Sequence, residues 1–270
     1  MSSPVVFAVA AHPDDIELMM GGTFALLGRA GCELHYMNLC NGSMGTDKAT
    51  REAIIGQRTA ESWQAASVFG AHFHDPVVDD LGLMYDVATV RRVGAVMREV
   101  NPSILLLQSP QDYMEDHTNA ARLAATAAFC RGMRNFITEP PVQPVVGEMA
   151  VYHALPWGLR DPLRRVLRAG LYVNVESVRD VKRNALACHK SQKEWLDVSQ
   201  GLDSYLTTMD DMSRKVGRMS GRFAFAEGWR RHLHLGYGGE DFDPLYDALK
   251  DIAWIDPEYE ADLNGPLAPN

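Results

Sequence analysis

The chain has 270 residues, 46% of them hydrophobic and 23% charged, a composition that suits one large α/β domain. Its formal net charge is -9 with no basic run to offset it, which argues against a nucleic-acid surface, and no stretch approaches the roughly 18 apolar residues of a membrane span. The four cysteines, Cys32, Cys40, Cys130 and Cys188, show no C-x-x-C spacing and read as reduced thiols of a cytoplasmic protein.

The first element is Val5 to Ala11, an apolar run rich in valine and alanine that reads as a fully buried strand. No basic segment precedes it and charges follow at once, so it is expected to be a core strand and not a signal peptide. It stops at His12-Pro13-Asp14-Asp15, where proline suits the first turn of a following helix. Ile16 to Arg29 reads as that helix, and the paired Gly21 and Gly22 inside it predict close packing on the sheet. Glu33 to Cys40 is a second strand, followed by a polar loop, Asn41 to Thr46. Thr50 to Phe69 is a long helix closed by Gly70. His72 to Val77 is a short strand, and the loop after it holds Asp79 and Asp80. Val87 to Val100 is a helix, and Ser103 to Gln108 is another apolar strand.

Next comes the loop Ser109 to Asp116, then His117, then a helix over Thr118 to Cys130. The proline-rich Glu139 to Gly147 marks a linker. Met149 to Leu155 and Leu171 to Glu176 read as strands. A largely helical region starts at Asp180 and is expected to continue past Trp229, and the polar tail from Asp256 wraps the surface. Alternating strands and helices give an α/β chain with a mainly parallel, doubly wound sheet and helices on both faces. One domain over 1–270 is expected, with a core at 1–138 and added strands and helices at 139–270.

The chemistry-bearing residues sit at strand ends, where open α/β sheets bind ligands. His12 and Asp15 are three residues apart across a turn, and His117 arrives at the end of a distant strand. Two imidazoles and a carboxylate leave an open position, as catalytic zinc requires. Asp14, facing another way, is free to act as general base. A plainer reading stands beside this one: a strand-end histidine is often only solvated, and Asp14 and Asp15 could be simple helix N-terminal acids. In the same way, Arg58 and Glu61 could be a surface i, i+3 pair, and His189 could be a satisfied structural histidine.

Taken together these residues resemble a known family. AHPDD after an N-terminal strand, Gln57-Arg58 with Glu61 in the second helix, Asp116-His117 after the fourth strand, and the K-x-x-A-x-x-x-H-x-S-Q run from Lys182 to Gln192 are similar to LmbE/PIG-L-type deacetylases. The resemblance implies a Rossmann-like fold and hydrolysis of an N-acyl, most simply N-acetyl, group on an amino sugar or glycoconjugate. It implies one Zn2+ per chain held by His12, Asp15 and His117, with other divalent ions able to serve. Asp14 becomes the base, Arg58 a substrate contact, and Asp80 (with Asp79 as its neighbour) a contact to a sugar hydroxyl.

One position departs from the family. Its H-x-D-H motif here reads Met114-Glu115-Asp116-His117, and methionine has no N–H to offer an oxyanion. Losing one such donor costs about 3 kcal/mol of transition-state stabilisation. Tyr113, His153 or His189 are the residues that could replace it, and Tyr113 and His189 are also the expected substrate contacts. Trp157 is the candidate for stacking on a sugar. The alternative that Met114 raises is a carbohydrate-binding protein with impaired catalysis. A dinucleotide-dependent oxidoreductase lacks its glycine fingerprint. The acidic C-terminal region leaves a homo-oligomer open.

Overall fold

The structure is a computed structural model that describes residues 3–193, 204–263 and 265. In chain order its elements are β1 (Val5–Ala10), α1 (Asp15–Met19), α2 (Gly21–Arg29), β2 (Glu33–Asn38), α3 (Arg51–Phe69), β3 (His72–His74), α4 (Val87–Val100), β4 (Ile104–Leu107) and α5 (Glu115–Cys130). There follow β5 (Ala150–Ala154), β6 (Leu171–Asn174), α6 (Arg179–Leu186), α7 (Ser204–Ser220), β7 (Ala226–Arg231), α8 (Pro244–Leu249), β8 (Ala253–Ile255) and α9 (Pro257–Leu263).

One sheet of eight strands runs through both portions, in the order β3-β2-β1-β4-β5-β7-β6-β8. The pairs β3/β2, β2/β1, β1/β4 and β4/β5 are parallel, and the pairs beyond β5 are antiparallel. The mainly parallel α/β expectation therefore holds. The period-2 alternation of strands sends side chains to both faces. Val6, Ala8 and Ala10 pack with Ile16, Phe24 and Leu27, while Phe7 and Val9 pack with Val93, Met97 and Leu123 on the other side. The chain leaves β1 for β2 on one side and later returns to lay β4 on the other. That reversal is a topological switch point, the place where such sheets open a crevice at the strands' carboxyl ends.

Three expectations need correction. The helix over Ile16 to Arg29 breaks at Met20, whose φ and ψ are -128 and -20. The break frees the first N–H groups of α2, and the Glu227 carboxylate accepts from Gly22 N at 2.8 Å and Thr23 N at 2.7 Å. Gly22 is needed there, since a Cβ would stand 2.6 Å from Val175 Cγ1 and 3.0 Å from Glu227 Oε1. Second, α5 begins at Glu115, before the expected Thr118, which places His117 in the first helical turn. Third, the region past Asp180 is not helical through Trp229. Trp229 is fully buried in β7, paired with β5 and β6, and its indole N–H donates to Thr23 Oγ1 at 2.9 Å. The chain's five tryptophans, which from the sequence are expected in the core or at an interface, do not all follow Trp229: Trp63 is 59% exposed on α3, and Trp195 lies outside the described residues. Among the described residues no helix is long and apolar enough to cross a membrane.

Candidate active site

His12 and Asp15 follow β1, and His117 opens α5 after β4, so the switch point brings them together. Asp15 Oδ2 lies 3.5 Å from His12 Nδ1, and Asp15 Oδ1 lies 3.5 Å from His117 Nε2. One ligand atom from each of the three falls within 4.8 Å of the other two. The outer imidazole nitrogens are already engaged. His12 Nε2 is 3.0 Å from Asp116 Oδ2, and His117 Nδ1 is 3.0 Å from Asp112 Oδ1. A carboxylate that accepts from the outer N–H keeps the proton on that nitrogen and leaves the inner lone pair for a cation. Cys40 and Asp116 also approach His12, but Asp116 Oδ2 accepts from Leu81 N at 2.7 Å and neither residue lines the cavity that His12, Asp15 and His117 face.

The electrostatics agree. Burial by itself lowers the His12 pKa, but the Asp116 and Asp15 carboxylates outweigh it and raise the value well above that of free imidazole. His117 is likewise lowered by burial and raised overall by Asp15 and Asp112. Asp15, despite burial, is held below the usual carboxylate range by His117 and His12. The pocket floor stabilises positive charge between its carboxylates, and two imidazoles with one carboxylate fit a zinc-type ion.

Asp14 is set apart by its backbone. Its φ of 109 lies in the left-handed region, which Asp tolerates better than most residues but which still costs about 1–3 kcal/mol. Successive carboxylates thereby face different ways: Asp15 turns to the histidines and Asp14 into the cavity. The Tyr205 hydroxyl donates to Asp14 Oδ2 at 2.6 Å, and Arg58 Nη2 lies 3.4 Å from the same oxygen. Burial is the largest influence on Asp14 and raises its pKa against the opposing pull of Arg58. Arg58 is itself buried, and Nη2 also donates to the Pro13 carbonyl, so it braces the turn that presents Asp14.

The cavity, of about 380 Å³, is within the range that holds small ligands. Its walls include Leu18, Met19, Met44, Met114, Trp157 and Tyr113. Tyr113 is 59% exposed and sets its ring edge against His117, 5.6 Å between centroids. Asp80 reaches the wall, but both oxygens are in use: Oδ1 accepts from Gly42 N at 2.8 Å and Oδ2 from Met44 N at 2.9 Å. It holds the Asn41–Thr46 loop while lining the cavity. Asp79 turns outward to Arg51 and Asn41. The loop folds over Arg58 closely enough that a Cβ at Gly42 (φ +77) would stand 2.7 Å from Arg58 Cδ.

His189 does not line the cavity. It is fully buried, with Nε2 3.4 Å from Glu17 Oε2. His153 is ruled out as the missing donor, since Nδ1 is 2.8 Å from the Gln108 carbonyl and Nε2 is 2.9 Å from His232 Nδ1. Of the three candidate donors only Tyr113 stands in the cavity wall. Arg58 and Glu61 do not pair with each other. Glu61 accepts from Ser191 N at 2.9 Å and Ser191 Oγ at 2.6 Å, and Gln192 Nε2 donates to Gly45 O at 2.8 Å. The two distant sequence motifs thus interlock across the pocket. Lys182, from the same run, pairs with Glu227 at 2.6 Å. Sequence reasoning missed Asp112, Asp116 and Tyr205. The first two lie beside His117 and carried a local signal as acids flanking a ligand; Tyr205 carried none.

Fold and site together define an α/β protein whose switch-point cavity carries a cluster of side chains able to hold a metal ion. Residues 7–128 match the family model described as PIG-L, GlcNAc-PI de-N-acetylase. Over 235 residues the chain is 26% identical to the diacetylchitobiose deacetylase of Thermococcus kodakarensis, covering 83% of this chain and 82% of the relative. It is 28% identical over 193 residues to the 4-oxalmesaconate hydratase of Pseudomonas putida, covering 68% and 72%. The N,N'-diacetylchitobiose deacetylase of Pyrococcus horikoshii has the same fold, with a TM-score of 0.72 at 20% identity over 90% of this chain and 89% of that one.

Proposed function

We propose that the protein is a zinc-dependent deacetylase acting on a GlcNAc-related sugar or sugar conjugate, with Asp14 as general base. The observation that carries this reading is the partly buried Asp14 carboxylate, turned away from its neighbour and into the same cavity as three converging ligand atoms. The deacetylases named among the relatives support the reaction class. Zinc held by His12, Asp15 and His117 would polarise the amide carbonyl and acidify water. Asp14 accepts the proton of the attacking water and returns it to the amide nitrogen as the C–N bond breaks, leaving acetate and a free amine. Tyr205 and Arg58 steady Asp14 through its Oδ2. The Tyr113 hydroxyl, on a residue of the cavity wall, would donate to the carbonyl oxygen in the role that Met114 cannot fill.

The hydratase relative favours a second reading, water addition to an unsaturated acid. Among the described cavity residues Arg58 is the one cationic side chain beyond the histidines, while the same lining holds Asp14, Asp15, Asp80 and Asp112. That balance favours an uncharged amide over a polyanion. A pure binding protein has no use for Asp14. The test is amine and acetate release from N-acetylglucosamine, N,N'-diacetylchitobiose and N-acetylglucosaminides, with metal-stripped and zinc-restored protein. Zinc-dependent release in equal amounts is expected. Hydration of 4-oxalmesaconate without release from any sugar would replace this reading with the second.

A further inference from the structure

At the far edge of the sheet, three histidines and a glutamate stand on one face of β2 and β3. The parallel ladder sets His35 opposite His72 and Met37 opposite His74. Glu33 precedes His35 by two residues, so the period of the strand puts it on the same face. Glu33 and His72 open their strands, at the end away from the carboxyl-edge cavity. The row rests on Phe7, whose ring meets His74 edge-on at 5.5 Å between centroids.

The distances are those of a ligand set. Glu33 Oε1 lies 3.1 Å from His35 Nε2 and 3.9 Å from His72 Nε2. Donors bound to a tetrahedral zinc at 2.0–2.1 Å stand about 3.4 Å apart, and the two distances bracket that separation. One ligand atom from each of Glu33, His35 and His72 falls within 4.8 Å of the others, the same convergence as in the cavity. A partner on the outer nitrogen, as Asp116 and Asp112 are in the cavity, is present here too. His35 Nδ1 and His74 Nε2 are 2.8 Å apart. With the proton on His35 Nδ1 and the acceptor on His74, the lone pair of His35 is left on Nε2, the nitrogen that faces Glu33.

We propose that Glu33, His35 and His72 form a second divalent-metal site, suited to zinc or another imidazole-binding ion, with His74 as its positioning residue. Such an ion ties β3, an edge strand of three residues, to β2 beside it. β3 runs on into the loop that carries Asp79 and Asp80 to the cavity wall, so the site would steady that loop from its origin. Binding to the folded chain alone raises stability by mass action.

The probe is zinc itself, titrated into metal-stripped protein by calorimetry with metal content checked after dialysis. Wild type is expected to take up one zinc beyond that of the cavity. H72N and H35N should each lose this extra equivalent while deacetylase turnover stays at the wild-type level. H74A should weaken it about tenfold. D15N should keep the edge equivalent, and its thermal midpoint should rise with zinc, a rise that D15N/H72N lacks. An extra equivalent that survives both H35N and H72N, or a D15N chain that neither binds zinc nor shifts its midpoint, would overturn the proposal. Loss of the equivalent insensitive to H72N would bear on the cavity alone, so the two sites fail separately.

Discussion

The two portions of the sheet contribute differently to the site. The parallel strands β1 to β5 end at one edge, and the turns after β1 and β4 supply His12, Asp14, Asp15 and His117. The antiparallel portion supplies no ligand of that set. It supplies support: Glu227 of β7 holds the start of α2, and Tyr205 of α7 holds Asp14. Chemistry is concentrated where strands end and helices begin, because backbone direction there aims several side chains at one point. Support comes from elements whose contacts span the whole chain.

This division makes ordered predictions. The largest stability effect belongs to the antiparallel portion. Lys182→Ala strands the Glu227 carboxylate, and the pair is almost wholly buried at 2%/3% side-chain exposure. Breaking such a pair from one side costs about 3–5 kcal/mol, to be read from denaturant unfolding. Replacement of both partners by apolar residues would cost less, although Gly22 and Thr23 would lose their acceptor. Asp112→Asn acts on the parallel portion. It leaves the fold intact and weakens zinc binding about 10–100-fold, because His117 loses its outer carboxylate. A chelator competition assay reads this directly.

Tyr205→Phe should have an effect of similar size to Asp112→Asn, and the most informative one. It removes a 2.6 Å hydrogen bond to Asp14 and nothing from the metal ligands. A hydrogen bond to a charged group is worth about 1.5–3 kcal/mol, so turnover should fall roughly 10–100-fold with zinc content unchanged. Loss of zinc in this variant would show that the helical support acts on the ligand set and would blur the division between the two portions.

How much of this could be read in the sequence follows the same line. His12, Asp14 and Asp15 were legible because their relation is local: an apolar strand, a proline, two acids. His117 was legible as a residue at a strand end, although the helix around it starts three residues earlier than expected. Tyr205 was not legible, since it meets Asp14 across 191 residues and carries no motif. Trp229 was placed in helix because a strand of six residues, AEGWRR, buried over its first four, offers no clear alternation and is defined by its neighbours β5 and β6. His189 was expected as a substrate contact, but it lies past the end of α6, fully buried beside Glu17. Sequence spacing does not say where a helix stops; packing sets that, and what the residue meets.

The central claim is that Asp14 moves protons while its neighbours hold the metal. It is tested most directly by measuring zinc content and turnover of Asp14→Asn beside wild type on the same N-acetylated sugar. The account predicts zinc content equal to wild type and a turnover lower by about 10²–10⁴-fold, the share that a positioned general base supplies. Wild-type turnover in a fully zinc-loaded Asp14→Asn chain would contradict it.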